Sequence, residues 1–346
     1  MAASINNSAW LEWMAGLMGG VSRQTYSATF PPDRFYCLLD ELPVHLVPRP
    51  ALAPHTQQAG RDLFLNPDSR LYAGDELPEE LASQEELLSA FALRGTIAWL
   101  RDANSNSLIP FWLGPKLESL VRKLRIGEPI PDSMPAFARS ILASAGILAS
   151  AESTAQRRVK RDEALGNAAE VFRRKGYAPL HGLIHPFHTA ALRRYYRYRI
   201  RTGAIPLGDG QSPRRYAAYN DPVARFFHRQ IALPLSAVAG EPLKPSYVYL
   251  ASYLSGAELK KHVDREQCEF SITLCLDFSP EPALATPWPI QMDTSTGTVT
   301  VYQALGDGLA YRGTRLPHYR SKLGNGQTST SIFFHYVAAD FTGSLD

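Results

Sequence analysis

Paired cysteines, an excess of either charge and long apolar runs are all missing from this 346-residue chain. Its three cysteines, Cys37, Cys268 and Cys275, make no CxxC pair and no even framework, which excludes a disulfide scaffold and a zinc ribbon. Thirty-six basic residues against 33 acidic leave +3, too little to argue for nucleic acid or a membrane surface as partner. The N-terminal stretch MAASINNSAWLEWMAGLMGG is apolar but short and has no basic flank, so it reads poorly as a signal peptide and cannot span a bilayer. A cytoplasmic location is the expectation. No internal repeat or low-complexity tract is present. What remains is 45% hydrophobic and 20% charged, an ordinary globular composition with core enough for one large domain or two.

The two halves differ in pattern. Apolar residues at helical spacing predict helices over Gln84–Leu100, Gly114–Leu124 and Met134–Leu148, with Pro115 suited to a first helical turn. The polar, basic stretch from Ser150 to Ala169 reads as a linking helix or boundary. The domain expectation is therefore a mainly helical unit over 1–155 and a second unit over 165–346. Beyond Pro186 and Pro222, which open predicted helices, short strand-like runs alternate with Gly, Pro and Asp turns. That pattern predicts a sandwich or jelly roll, and with helices gathered before it an α+β fold.

Within the strand-rich half, His262 and Asp264 stand two apart in LKKHVDREQC, and His318 follows in LPHYR. Side chains at i and i+2 of a strand share a face. An imidazole and a carboxylate so placed can grip one side of a metal ion, and a histidine from a distant strand completes the face. Two histidines and one carboxylate, with the opposite positions open, form the donor set of non-haem Fe(II) oxygenases. Other candidates carry less. His181, His185 and His188 approach ligand spacing, but Pro186 breaks their register. His335 reads as a core or rim residue, and Cys268 as packing close to the metal motif. Asp307 shapes a turn. The run LRRYYRYRIR, residues 192–201, reads as a helix with a solvated basic face in preference to a phosphate or RNA site.

Tyr253 and Gly256 ahead of His262-Val263-Asp264, then Gly306-Asp307, His318 and the closing SIFFHY, residues 331–336, carry a family resemblance. From about Ala168 to Asp346 the chain resembles the Fe(II)/2-oxoglutarate-dependent dioxygenases, on their prolyl-4-hydroxylase-like side. The resemblance implies a double-stranded β-helix with Fe(II) at one mouth, held by His262, Asp264 and His318 as the catalytic centre. It further implies 2-oxoglutarate and O2 as co-substrates. A carboxylate at 264 implies hydroxylation, desaturation or cyclisation of an unactivated C–H bond, since halogenating relatives carry a small residue there. The substrate class left open is a peptide or a natural-product intermediate.

The family places a basic residue at the start of its last strand to hold the far carboxylate of 2-oxoglutarate, whereas this chain has Gln327-Thr328-Ser329-Thr330. The nearest replacement is Arg320, on the His318 face if the segment is extended, with Lys322 beyond it. Tyr253 is the tyrosine expected to assist. An iron oxidase that does not use 2-oxoglutarate and a non-catalytic cupin-like binding protein are the alternatives. In the first half, FALRGTIAWL, GPKLESLVRKL and AFARSILASAGIL loosely suggest a winged-helix module for substrate recognition. A helical shoulder beside the barrel is the plainer reading.

Overall fold

The runs TIAWLR and LIPFWL are rich in β-branched and aromatic residues and flank the polar turn Asp102–Ser107, so they pair as an antiparallel hairpin with Trp99 opposite Pro110. The carboxylate of Asp102 closes the turn, accepting from the Ser105 amide at 2.8 Å and its hydroxyl at 2.7 Å. The computed structural model describes residues 30–49, 62–74 and 76–346, and the N-terminal apolar stretch lies outside them. In chain order the first half contains β1 (Phe64–Leu65), β2 (Ser69–Ala73), a helical turn α1 (Glu85–Leu88), the hairpin strands β3 (Thr96–Arg101) and β4 (Leu108–Leu113), α2 (Pro115–Val121), α3 (Ala136–Ala145) and β5 (Leu148–Ala149). Strands β2, β3 and β4 form one sheet, and β1 pairs with β5.

This half is mixed, and not the mainly helical unit expected. The helix predicted over Gln84–Leu100 stops after one turn. Gly95, at φ 75°, turns the chain into β3, which is buried along almost its whole length. A strand covered on both faces is a continuous apolar run, and periodicity alone does not separate it from a buried helix. Helices α2 and α3 lie where expected, and α2 begins at Pro115.

Helix α4 (Ala151–Lys175) opens on a reciprocal cap between Ser150 and Ser153 and closes at Gly176, φ 75°. The division expected between residues 155 and 165 falls inside it. The chain continues through β6 (Tyr177–Leu180), α5 (Pro186–Arg201), β7 (Arg215–Tyr219), α6 (Pro222–Ala239), β8 (Leu243–Tyr253), β9 (Leu259–His262), β10 (Phe270–Ser279), β11 (Ile290–Thr294), β12 (Gly297–Val301), β13 (Gly308–Arg312), β14 (His318–Arg320) and β15 (Thr328–Ala338). These strands make two antiparallel sheets. The larger runs β6-β13-β10-β15-β8-β7 and the smaller β12-β11-β14-β9, so from β8 onward the chain passes repeatedly from one sheet to the other.

Strand alternation then sorts the side chains. Val248 and Leu250 of β8, Ile272 and Leu274 of β10, and Ile332, Phe334 and Tyr336 of β15 join the core that the helices cover. The opposite parity, with Ala251, Tyr253, Cys275 and Phe333, joins Trp288, Leu305 and Leu323 in a separate inner cluster. The outer core is common to both halves: Phe35 packs on Tyr195 and Phe227 at 6.1 and 5.9 Å between ring centres, and Phe91 on Phe226 at 5.1 Å.

The arginines of α5 do not form a solvated face. Arg193 is fully buried and binds Asp277, Glu281 and the carbonyl of Leu46, while Arg197 binds Asp277 and Arg199 binds Asp221. Arg194 donates to Tyr36 O at 2.8 Å, so four of the five arginines in this run have internal acceptors, and Arg201 is exposed. Among the described residues no helix is long and apolar enough to cross a membrane.

His188 and His228 are buried among aromatic rings and donate to Pro110 O and His335 O at 2.8 and 2.7 Å. Burial pushes both down to about 3, so the folded protein keeps them neutral where the unfolded chain takes up protons. Stability is therefore lost as pH falls below about 6.5, by ~2 kcal/mol per histidine between pH 7 and pH 5. In urea titrations at the two pH values, His228→Gln, whose amide can replace the Nε2–H donor, should lose ~2 kcal/mol less than wild type over this interval. An equal loss in the two proteins would show that His228 is not the responsible group.

Candidate metal centre

Pairing between β9 and β14 sets His262 directly opposite His318. Both Nδ1 atoms are taken by backbone carbonyls two residues back, His262 with Lys260 O at 2.7 Å and His318 with Leu316 O at 2.9 Å. Since a carbonyl only accepts, each Nδ1 carries the proton and each Nε2 presents a lone pair. Asp264 lies just past the end of β9 and not within the strand as expected. Its amide donates to Gly313 O at 2.9 Å, which brings the carboxylate back under the two rings.

The Oδ1 atom of Asp264 is 3.5 Å from His262 Nε2 and 3.5 Å from His318 Nε2. All three ligand atoms lie within 4.8 Å of one another. Adjacent ligands on metal bonds of about 2.1 Å stand about 3 Å apart, so a small inward shift would close this set on a divalent ion. The donor chemistry fits as well: two neutral imidazoles and one carboxylate suit Fe(II) with positions left open. Burial works to raise the Asp264 carboxyl, but the adjacent His262 and His318 rings outweigh it and hold it below the usual carboxylate range. His262 is pushed up, chiefly by Asp264, and His318 down by burial. The set opens on one side, for the His262 side chain is 39% exposed while His318 is 3% and Asp264 11% exposed.

Arg320 shares the inward parity of His318, and Tyr319 between them turns outward. Its guanidinium is fully buried, lying 4.9 Å over the Trp288 ring. It donates to Trp288 O at 2.6 Å and Gln303 Oε1 at 3.1 Å. No carboxylate among the described residues pairs with it, so a full positive charge is enclosed without a counter-ion. Lys322 is exposed, because β14 ends at Arg320. Tyr253 is buried in the inner cluster, its ring 5.1 Å from Trp288 and 5.9 Å from the guanidinium of Arg215.

Sequence reasoning passed over Arg215, Gln303 and Ser271. Arg215 faces Tyr253 across β7 and β8 and is held by Asp209 at 2.6 Å. Gln303 fixes Arg320 while donating to Thr273 O at 2.9 Å. Only the pairing of distant strands reveals their neighbours. His181, His185 and His188 are not gathered: they reach Asp307, Ser144 O and Pro110 O respectively. Asp307 does shape its turn, accepting from the Ala304 amide at 2.9 Å.

No family model matches the chain, and no curated protein matches it in sequence. Solved structures are similar to about half of it. The non-haem α-ketoglutarate-dependent epimerase SnoN from nogalamycin biosynthesis is 16% identical, TM-score 0.43, over 51% of this chain and 82% of its own. AviO1 from Streptomyces viridochromogenes Tue57 is 20% identical, TM-score 0.43, over 52% and 97%. A Pseudomonas putida prolyl-4-hydroxylase is 17% identical, TM-score 0.40, over 49% and 98%. The reading of the site rests on its own geometry.

Gly313 backs the carboxylate so closely that a Cβ there would stand 2.3 Å from Cys268 O and 2.4 Å from Asp264 Oδ2. Gly313→Ala should therefore displace Asp264 and weaken Mn(II) binding by about tenfold or more in calorimetric titration. Unchanged affinity would mean that the carboxylate is not a ligand.

Proposed function

We propose that this protein is an Fe(II)- and 2-oxoglutarate-dependent oxygenase built on a double-stranded β-helix. The observation that carries the proposal is the pairing of a complete donor face with an uncompensated buried cation on the strand of one of its ligands. His262, Asp264 and His318 would hold the metal, and Arg320, two residues along β14, would receive an acid. Enclosing a guanidinium without a partner is costly, and a carboxylate entering the inner cluster relieves that cost by a charge-assisted, bidentate contact. The order of the two sheets supports the fold assignment, for strands β8–β15 alternate between them as the halves of such a barrel do.

The roles of the chain's own residues follow. The two Nε2 lone pairs and one oxygen of Asp264 supply three ligands on one face. Arg320 orients a dicarboxylate, with Gln303 and Trp288 O fixing its plane, and Tyr253 closes the chamber beside it. When bound, iron would supply the reductive activation of O2 coupled to loss of CO2 from the 2-oxo acid. A small-molecule or peptide substrate would approach from the open His262 side, past Val263, which is 49% exposed. Hydroxylation, desaturation and cyclisation all fit a site that retains its carboxylate.

Replacing His318 with Ala should abolish stoichiometric iron binding, read by metal analysis, while the circular dichroism spectrum stays that of wild type. Wild-type iron occupancy in that variant would end the proposal. Arg320→Ala should weaken 2-oxoglutarate binding to Mn(II)-loaded protein by roughly one to two orders of magnitude and leave Mn(II) affinity unchanged. Arg320→Lys should restore part of it, as a point charge lacks the fork. If wild type itself binds no 2-oxoglutarate, the iron oxidase that works without it takes precedence.

A further inference from the structure

Behind the triad, β10 and β15 set Ser271 directly opposite His335, and both side chains are buried. Ser271 Oγ stands 2.8 Å from His335 Nδ1, 3.2 Å from Asp264 Oδ2 and 3.2 Å from Cys268 O. A hydroxyl has one hydrogen to give. An ionised carboxylate can only accept, and an O–H···O⁻ bond is the strongest of the three on offer. The hydrogen therefore goes to Asp264. Ser271 Oγ is then an acceptor towards His335, so Nδ1 must be the protonated ring nitrogen. Burial keeps His335 neutral, pushing it down to about 4, so the ring has one proton for that position.

We propose that His335 Nδ1–H, Ser271 Oγ–H and Asp264 Oδ2 form a donor relay that restricts Asp264 to one ligating oxygen. The proposal rests on the metal-centre reading above. Oδ1 faces both imidazoles, while Oδ2 is held by Ser271. A carboxylate released from that bond could rotate and chelate through both oxygens, closing a position that the co-substrate or O2 requires. Ser271 and His335 are positioning residues in this arrangement and touch no reactant.

A second metal site made of Asp264, Cys268 and His335, whose ligand atoms also lie within 4.8 Å, is the competing use of the same residues. The state of the thiol opposes it: burial pushes Cys268 up to about 11, and its sulfur stands 3.0 Å from the Tyr247 hydroxyl. One ion per chain is the expectation.

The test uses full-length wild type, Ser271→Ala, His335→Phe, His335→Asn and His318→Ala. Each is titrated with Mn(II) by calorimetry, and each Co(II) adduct is recorded in the visible. Asparagine places an amide N–H where the histidine has Nδ1–H, so it should keep the relay. Ser271→Ala and His335→Phe should raise the Mn(II) Kd about tenfold, as loss of the hydrogen bond that orients a ligand does, and shift the Co(II) bands, as a change in carboxylate denticity requires. His335→Asn should stay within about threefold of wild type, with its spectrum. Wild-type affinity and spectrum in Ser271→Ala would overturn the relay, as would a His335→Asn as impaired as His335→Phe, or two Mn(II) ions per wild-type chain. Should His335→Phe fail to fold, Ser271→Ala and His335→Asn decide alone. Undiminished Mn(II) binding by His318→Ala would instead remove the metal-centre reading on which the relay rests.

Discussion

The register between β9 and β14 is the constraint on which the site depends. Both strands are short, at four and three residues, and the ladder between them includes a bulge, yet His262 faces His318. A slip by one residue would turn either imidazole to the other face of the sheet. What pins the register lies outside the pair itself. Asp264 N bonds Gly313 O, Asp293 N bonds Pro317 O, and Lys261 pairs with Asp293 at 2.7 Å. These contacts fix the ends of both strands from β11 and from Gly313, just past β13, so the ligands inherit their positions from the surrounding sheets and not from one another.

Much of this was legible in the sequence because period-two alternation survives without tertiary information. The strands from β8 onward and the helices introduced by Pro186 and Pro222 fall where spacing put them, and His262 and His318 face each other, whereas the segment from Val171, expected as a strand, is helical as far as Lys175. Arg320 was legible for the same reason, being two residues from His318. The failures also have physical causes. The run GTIAWLR is continuously apolar from Ile97 to Leu100 because the strand is covered on both faces, so its period could not be told from a buried helix, and Gly95 was the available signal that a helix could not continue through it. The arginines of α5 looked solvated because their acids, Asp221, Asp277 and Glu281, lie up to 88 residues away in sequence. Asp264 was expected on a strand, and its position is set instead by a bond to Gly313 that no local pattern announces.

Two of the buried arginines are matched by acids: Arg193 has two carboxylates and a carbonyl, and Arg215 has Asp209 and Gln211. Arg320 alone among these three has only neutral partners, a carbonyl and an amide oxygen.

Arg193 has a consequence for how the chain can be divided. Its guanidinium joins Leu46, near the beginning of the described residues, to Asp277, at the bulge that lets β10 bend against β15. Cutting the chain at its middle helix would leave that arginine with Leu46 gone, and would strip Phe35 and Phe91 from the rings of α5 and α6. The two halves are consequently not interchangeable cassettes. Any rearrangement that moves the strand-rich half to a new context has to bring the early segment with it, or leave Arg193 and the rings of α5 and α6 without those partners.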